Sequence, residues 1–261
     1  IGGFSTHDAS IGYFNSNFIE AVCIIFMLLS ALSFSLHYYA IYTRRPLKYF
    51  YDPELRFFIS IVFVIFIISL LINFASSQSN APISDLLFQS VSIVTTTGFS
   101  VADSSEWAPS IGFLFLIGAF IGACSGSVGG GVKSYRVLIM INYAYINLMK
   151  MVHPNAVVSL KMGVKNIDND VATSVWGFFS IYVISFMILL LGLVMTGLDF
   201  ESSFSAIGAC LNNLGPGLGE VSQTYESVTP AGKSILALAM ILGRLEIFTL
   251  LVLLTPMFWR K

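Results

Sequence analysis

Long apolar runs dominate the chain, and their lengths predict where it crosses a membrane. A helix needs about 20 apolar residues to span a bilayer core of roughly 30 Å. Runs of this length occupy residues 18–43, 55–74, 109–145, 173–196 and 231–258. Two apolar stretches, residues 83–95 and 202–211, are too short to cross and predict half-helices that enter the membrane and return. The pattern predicts an all-α membrane protein with both spanning and re-entrant helices.

The composition excludes several classes of protein. Of the 261 residues 56% are hydrophobic and only 10% are charged, whereas soluble domains carry about 25% charged residues. This deficit excludes a soluble enzyme, a disordered tail and a nucleic-acid-binding protein. The net charge is −1, so no excess of either sign indicates a polyionic partner. Cys23, Cys124 and Cys210 lie in apolar surroundings without metal-ligand spacing and are interpreted as core residues.

The charged residues predict the orientation in the membrane. With alternating spans, most basic residues fall on one side: Arg44, Arg45, Lys48, Arg56, Lys133, Arg136, Lys150, Lys161, Lys165, Arg260 and Lys261. The positive-inside rule makes this side, with the C-terminus, cytoplasmic. Acidic residues collect on the opposite side: Asp8, Asp85, Asp103, Glu106, Asp199, Glu201, Glu220 and Glu226. An acidic outer mouth would concentrate cations, although each residue is equally well explained as a solvated loop charge.

One unit, consisting of a span, a short helix, a glycine loop and a second span, occurs twice. The copies cover residues 55–149 and 173–261, and their loops centre on Gly98 and Gly215, 117 positions apart. Residues 1–54 repeat the end of the unit, because the opening Gly-Phe-Ser matches residues 98–100 and a span follows. Between the complete units, we expect residues 150–172 to form a cytoplasmic loop with a short hairpin around residues 157–163.

The glycine that ends each short helix has a specific use inside a membrane. Non-helical backbone is tolerated at membrane depth only where protein buries it or water reaches it. Its free carbonyls can replace the hydration shell of a cation, and the C-terminal end of the half-helix adds partial negative charge. The alternative is a tight turn between two packed helices, but three copies, each before a span, favour a cation site.

Two features interrupt otherwise apolar spans. The glycines of residues 124–131 (CSGSVGGG) disfavour a helix by up to about 1 kcal/mol each, which predicts either a movable intramembrane loop or a kink where helices pack closely. Arg244 lies in the middle of the last span, where a charge costs about 2.5–3.5 kcal/mol. We expect Arg244 to donate to carbonyls of residues 124–131, or else to be a purely structural buried arginine. Glu246 points to another helix face and is not expected to pair with it.

Five segments carry a resemblance to a known family: IGGFSTHDASIGYF, TTTGFSVADSSEW, CSGSVGGGVKSYRVL, NNLGPGLGEVS and GRLEIFTLLVLLTPMFWR. Together they span the chain and resemble the bacterial TrkH potassium-uptake subunits of the TrkH/KtrB/HKT superfamily. The resemblance implies repeated pore units around a pseudo-fourfold pore, with about two and a half of four units in this sequence. It also implies that the opening loop belongs to the second unit and that the first unit is absent.

The resemblance assigns roles to individual residues. Backbone carbonyls of three segments would form a K⁺ filter: Ile1, Gly2 and Gly3; Thr96, Thr97 and Gly98; and Asn213, Leu214 and Gly215. The interrupted segment would gate the pore from below, through Cys124, Ser125, Gly126, Ser127, Gly129, Gly130 and Gly131. Arg244 would brace that gate. Asn212 and Asn213 depart from the threonine-rich pattern of the other complete loop.

The resulting hypothesis is K⁺ translocation across a bacterial inner membrane, with K⁺ as the transported ion and no organic cofactor. The resemblance further implies a homodimer and a cytosolic nucleotide-binding regulatory subunit of the TrkA type, docked on residues 150–170 and the basic ends. Nucleotide control would then come from that partner, since Lys133 stands one position too far from Gly131 for a phosphate-binding loop.

Two alternatives remain open at this stage. A secondary symporter that couples K⁺ to H⁺ or Na⁺ would need titratable side chains on the ion path, and the filter segments contain none. An intramembrane serine protease would use Ser125 and a histidine base within reach, for which His37 is the candidate inside a predicted span.

Overall fold

The computed structural model describes residues 1–44, 46–76, 81–102, 107–156, 158–163 and 165–259. Its α-helices are α1 (Asn17–Ala31), α2 (Phe34–Thr43), α3 (Pro53–Ala75), α4 (Ile83–Val94), α5 (Pro109–Ile121), α6 (Ser134–Val152), α7 (Asn169–Val194), α8 (Phe200–Leu211), α9 (Pro230–Arg244), α10 (Phe248–Leu254) and α11 (Pro256–Trp259). Short 3-10 helices cover Ser10–Phe14, Pro46–Tyr51 and Gly219–Val221. A small antiparallel hairpin pairs β1 (Lys161–Met162) with β2 (Lys165–Asn166). The fold is therefore essentially all-α, as the hydrophobic pattern predicts.

Helices α3 and α7 are each long and apolar enough to cross a membrane as one piece. Helix α3 starts where the sequence provides a cap, because the Asp52 carboxylate accepts a hydrogen bond from the Leu55 N–H at 2.9 Å. Pro53 then occupies the first turn, where its missing N–H costs nothing. These helices confirm the spans predicted over residues 55–74 and 173–196.

The span predicted over residues 18–43 is wrong as a single helix. Helices α1 and α2 meet at an angle of 94°. The physical reason is a competing backbone partner, since the Phe34 N–H donates to the Gly126 carbonyl at 3.1 Å. On the other side of the break, the Ala31 carbonyl accepts from the Cys124 N–H at 3.0 Å. Backbone from the segment between α5 and α6 thus replaces the helical hydrogen bonds at the bend.

The span predicted over residues 231–258 is also broken, so Arg244 lies at the end of a helix and not in the middle of one. Helix α9 ends at Arg244 and α10 begins at Phe248. Between them Glu246 adopts a φ of 49°, which a right-handed helix cannot continue. The predicted break in residues 109–145 is present, since α5 ends at Ile121 and α6 begins at Ser134.

The two predicted half-helices are present as α4 and α8, which have 12 residues each. Every residue of α4 from Phe88 to Val94 is buried, and so is all of α8 from Ser205 to Leu211. Helices α3 and α5 pack against α4, helices α7 and α9 pack against α8, and α5 packs against α8. At that last contact a Cβ on Gly208 would lie 3.0 Å from the side chain of Leu116. Small residues of this kind let membrane helices approach closely.

The connecting loop contains a hairpin, but its strands lie within residues 161–166, further along the chain than the region around residues 157–163 that the sequence predicts. Gly163, with a φ of 60°, lies in the turn between β1 and β2, and Leu160 and Met162 pack with Ile139 of α6. Val157, which the prediction included, lies outside the described residues. The same applies to some charges used for the topology: Arg45, Asp103, Glu106, Arg260 and Lys261. Cys124 and Cys210 are buried as expected, whereas Cys23 is partly exposed.

Asp199 caps the N-terminus of α8, and its replacement by alanine is expected to destabilise the protein by about 1 kcal/mol. Its carboxylate accepts from the Ser202 N–H at 3.0 Å, and this hydrogen bond lowers the pKa of Asp199. A lowered pKa means that the stabilisation exists above the unfolded-state pKa and disappears as the pH falls through the folded-state pKa. Thermal melting in detergent at neutral and acidic pH measures the effect.

Asp168 provides the matched control, because it occupies the same position before α7 without a side-chain capping hydrogen bond. Asp168→Ala should therefore melt close to the wild type. An equal loss of stability in the two variants, or a loss for Asp199→Ala that grows at acidic pH, would contradict the assignment of the cap.

Candidate functional site

The loop after α4 leaves the helix through two left-handed residues. Thr96 has a φ of 55° and Gly98 a φ of 84°. The Thr97 N–H between them donates back to the Ser92 carbonyl at 2.8 Å. The hydroxyl groups of Thr95 and Thr97 lie 2.7 Å apart and form a hydrogen bond. The end of the half-helix is thus held in one defined, non-helical conformation.

The loop after α8 repeats this geometry 117 positions later. Asn213 has a φ of 55° and Gly215 a φ of 107°, matching the two left-handed residues of the earlier loop. The Leu214 N–H donates back to the Ala209 carbonyl at 2.8 Å, which is the equivalent hydrogen bond. The internal repeat inferred from the sequence is therefore also a repeat of backbone conformation.

The three glycine loops lie against one another. A Cβ on Gly3, whose φ is 65°, would overlap the Thr97 carbonyl oxygen. A Cβ on Gly98 would likewise overlap the Leu214 carbonyl oxygen. Gly215 has no heavy atom of the described residues within 4 Å of its Cβ position. Glycine is required at the first two positions both for backbone conformation and for space.

A cavity of about 690 Å³ brings the three glycines together. Its lining comprises Gly3, Ser5, His7, Asp8, Ala9, Ser10, Gly12, Gln89, Gly98, Ser100, Val101, Ala102, Gly215, Pro216, Ser222, Gln223 and Tyr225. We call this space the vestibule. Ile1 and Gly2 precede Gly3. Ile1 packs on the core, while among the described residues a Cβ on Gly2 would meet only the ring of Phe4. Of the predicted acidic mouth, Asp8 lies in the vestibule lining.

Asn212 departs from the threonine-rich pattern for a packing reason. Its side-chain oxygen accepts from the Tyr182 hydroxyl at 2.8 Å, and its amide nitrogen donates to the Gly208 carbonyl at 2.7 Å. Asn212 and Tyr182 are both buried. An asparagine can serve one donor and one acceptor at once, so it connects the loop after α8 to helix α7.

Residues 122–133, between α5 and α6, form a non-helical segment that we call the intramembrane segment. Besides its contacts with α1 and α2, it folds on itself, because the Ser127 hydroxyl donates to the Cys124 carbonyl at 2.6 Å. The backbones of Gly122 and Gly131 are in close contact, and a Cβ on Gly131 would come within 2.6 Å of the Gly122 Cα. This packing requires glycine and explains why the helix stops here.

The intramembrane segment lies against the bases of the glycine loops after α4 and α8. The Gly130 N–H donates to the Thr96 hydroxyl oxygen at 2.6 Å. A Cβ on Gly130 would overlap the Asn212 carbonyl oxygen, and one on Gly129 would lie 3.0 Å from the Thr95 carbonyl oxygen. Any movement of the segment must therefore change its contacts with the loops after α4 and α8.

Arg244 contacts the intramembrane segment directly. Its Nη1 atom donates to the Val128 carbonyl at 3.1 Å, a contact of the kind that the sequence predicts. Glu246 does not point toward Arg244 but forms an ion pair with Arg136 at 2.5 Å. Arg136 also lies over the ring of Phe178, with 4.1 Å from its Cζ atom to the ring centroid, which is a favourable cation–π distance.

Two residues at the segment were missed by the sequence reasoning. Lys133, assigned there to the cytoplasmic charges, instead donates from its ammonium group to the carbonyls of Ser127 and Gly129. The Glu54 carboxylate accepts from the Ser125 N–H at 2.5 Å. The position of Lys133 directly after the glycines was a usable signal. Glu54 is distant from the intramembrane segment in sequence, and no sequence signal indicated its contact with Ser125.

The protease alternative receives no support from the histidine. His37 Nδ1 lies 2.7 Å from the Tyr49 hydroxyl oxygen, and its Nε2 lies 2.8 Å from the Leu29 carbonyl oxygen. Both ring nitrogens are thus committed to other partners, so His37 is not placed to act as a base toward Ser125.

Half-helices that stop in glycine loops around a shared vestibule define the class of protein, a helical membrane protein built from pore-loop units. The family described as "TrkH: Cation transport protein" matches residues 1–261, and the chain belongs to that family. This agrees with the resemblance seen in the sequence.

Individual relatives cover the whole of this chain. The Trk system potassium uptake protein TrkH of Halomonas elongata is 48% identical over 264 residues, covering 100% of this chain and 55% of that protein. The TrkH protein of Escherichia coli strain K12 is 44% identical with the same coverage. The crystal structure of the potassium transporter TrkH from Vibrio parahaemolyticus has a TM-score of 0.93 and 45% identity, covering 99% of this chain and 56% of that one. The chain spans about half the length of these relatives, which are named as transport proteins and not as enzymes.

Proposed function

We propose that this chain forms most of the K⁺ pathway of a potassium-uptake protein. The observation that carries the proposal is the convergence of Gly3, Gly98 and Gly215, each with positive φ, on one vestibule. Backbone carbonyls next to such glycines can replace the water around K⁺. The ligands would be the carbonyls of Ile1–Gly3, Thr96–Gly98 and Asn213–Gly215, and the transported ion needs no organic cofactor.

The half-helices add a favourable electrostatic field. The C-terminal ends of α4 and α8 point their partial negative charge at the filter loops. Acidic residues lie at the opposite ends, with Asp85 in the first turn of α4 and Glu201 in the first turn of α8. At an N-terminus an acidic side chain stabilises the helix dipole. These carboxylates therefore have a structural role beyond any attraction of cations to the mouth.

The intramembrane segment is proposed as the gate. It contacts the filter loops through Gly129 and Gly130, and small residues give it little steric resistance to movement. Arg244 and Lys133 hold it through three of its carbonyls. Their positive charges, next to the proposed path, would also oppose a passing cation until the segment moves.

The proposed setting is a bacterial inner membrane, with the C-terminus in the cytoplasm and the protein as a homodimer. The relatives are named as parts of a Trk system, which supports a regulatory partner. We assign docking of a cytosolic nucleotide-binding subunit of the TrkA type to residues 150–170 and the neighbouring basic ends. Many large apolar side chains are exposed on α1, α3 and α7, including Phe26, Phe63 and Ile188, and these face lipid.

A second candidate, symport of K⁺ with H⁺ or Na⁺, is favoured by one observation. Glu54 places a titratable carboxylate on the intramembrane segment, at the Ser125 N–H. Proton transfer through this group would couple its charge to the position of the gate.

The experiment is ion flux into liposomes that contain the intact protein. Rubidium uptake that exceeds sodium uptake, without movement of protons or sodium against their gradients, is the expected result. Uptake that drives protons or sodium would select the symport mechanism. Equal rubidium and sodium uptake would overturn the proposed filter.

A further inference from the structure

Tyr225 makes a direct hydrogen bond to the filter loop after α8. Its hydroxyl donates to the Gly215 carbonyl oxygen at 2.6 Å. Tyr225 lies between the short 3-10 helix Gly219–Val221 and helix α9, and it lines the vestibule together with Gly215. Burial raises the pKa of Tyr225, so the hydroxyl stays protonated and able to donate.

The loop after α4 is held by a different side chain. There the Ser92 hydroxyl, on the half-helix itself, donates to the Phe99 carbonyl at 2.7 Å. At the offset of 117 positions the equivalents of Ser92 and Phe99 are Ala209 and Pro216. Alanine has no hydroxyl to donate, so the loop after α8 cannot be held in this way.

Tyr225 supplies a hydroxyl from the opposite side of that loop. The hydrogen bond reaches Gly215 itself, whose Cβ position has no neighbour within 4 Å among the described residues. The Cys210 thiol, on the half-helix, lies 3.9 Å from the Tyr225 hydroxyl oxygen as a weak donor. Tyr225 packs against the apolar cluster that includes Leu211 and Ala239, and this packing restricts where the hydroxyl can lie.

We propose that Tyr225 is a positioning residue that sets the ion selectivity of the filter loop after α8. A carbonyl oxygen has two lone pairs, so Gly215 can accept from Tyr225 with one and face an ion with the other. The fixed hydrogen bond keeps the carbonyl at a distance suited to K⁺. Without it the loop can close around the smaller Na⁺. This inference rests on the proposed filter function.

The test replaces Tyr225 by phenylalanine in the intact protein and measures rubidium and sodium flux in liposomes. The rubidium-to-sodium ratio is expected to fall by about three- to tenfold, the factor that corresponds to one hydrogen bond. Tyr13→Phe is the matched control, since Tyr13 is 59% exposed and stacks on His7 at the vestibule. That variant should keep the wild-type ratio.

Thermal melting of the same variants separates selectivity from stability. A Tyr225→Phe protein that melts earlier but keeps its ratio would show that the hydroxyl only stabilises the fold, and the inference would be overturned. An unchanged ratio and melting temperature would overturn it as well. Gly98→Ser separates the proposed filter from the proposed role of Tyr225. If Gly98→Ser loses selectivity while Tyr225→Phe does not, the filter is supported and only the role of Tyr225 is refuted. If neither variant changes the rubidium-to-sodium ratio, the proposed filter is refuted as well.

Discussion

Gly98→Ala is expected to abolish most potassium-selective flux. The φ of Gly98 is 84°, a conformation that costs a residue with a Cβ about 1–2 kcal/mol. The new Cβ would also overlap the Leu214 carbonyl oxygen in the neighbouring loop. Since backbone cannot yield as a flexible side chain can, the two glycine loops must move apart. We expect rubidium uptake to fall by about tenfold or more.

Gly177→Ala is the matched control for this measurement. Gly177 lies within α7, has no atom of the described residues outside its own helix backbone within 4 Å of its Cβ position, and does not have a positive φ. Alanine at an ordinary helical position is favourable by roughly 0.5–1 kcal/mol, so this variant should be folded and fully active. Wild-type flux and selectivity in a folded Gly98→Ala protein would show that the glycine loops only allow close packing and do not form a filter.

The sequence alone predicts the fold correctly wherever a pattern within one segment determines the structure. The lengths of the apolar runs predicted α3 and α7, and the spacing of Gly98 and Gly215 predicted two loops of the same shape. The half-helices followed from their being too short to cross. In each case the information lies within one element or in a repeat that is visible in the sequence.

The breaks at Phe34 and Glu246 could not be predicted in this way. Polar residues lie at both breaks, Ser33 and Ser35 at the first and Arg244 and Glu246 at the second, but these residue types are also compatible with a continuing helix. What ends α1 is a set of hydrogen bonds to Cys124 and Gly126, which are distant along the chain. Helix propensity is a weak prior that such tertiary contacts override.

The same limit applies to the residues around the proposed gate. The charge count places Lys133 on the cytoplasmic side, although its position directly after the glycines indicates a side chain that can fold back on them. Burial of free carbonyls in the intramembrane segment creates a demand for donors. Lys133, directly before α6, and Arg244, at the end of α9, meet that demand. A cation next to a glycine-rich break is therefore better interpreted as a donor to that break than as an orientation signal.

Arg244→Met is expected to raise flux in the absence of any regulator by about tenfold or more. The variant removes the donor to the Val128 carbonyl at 3.1 Å, and a hydrogen bond from a charged group is worth about 1.5–3 kcal/mol. If that energy favours the closed position of the segment, its loss moves the gating equilibrium toward open by the corresponding factor. Removal of the positive charge from the path acts in the same direction.

Arg56→Met separates this effect from a general loss of cationic charge. Arg56 lies exposed near the start of α3, whereas Arg244 contacts the segment from the end of α9. Its replacement should leave unregulated flux at the wild-type level. Because Lys133 still holds Ser127 and Gly129 in the Arg244→Met protein, the segment should be loosened and not lost, and rubidium should still be preferred over sodium. Reduced flux in Arg244→Met would instead mean that the arginine supports an open path, and the assignment of the segment as a gate braced by Arg244 would have to be abandoned.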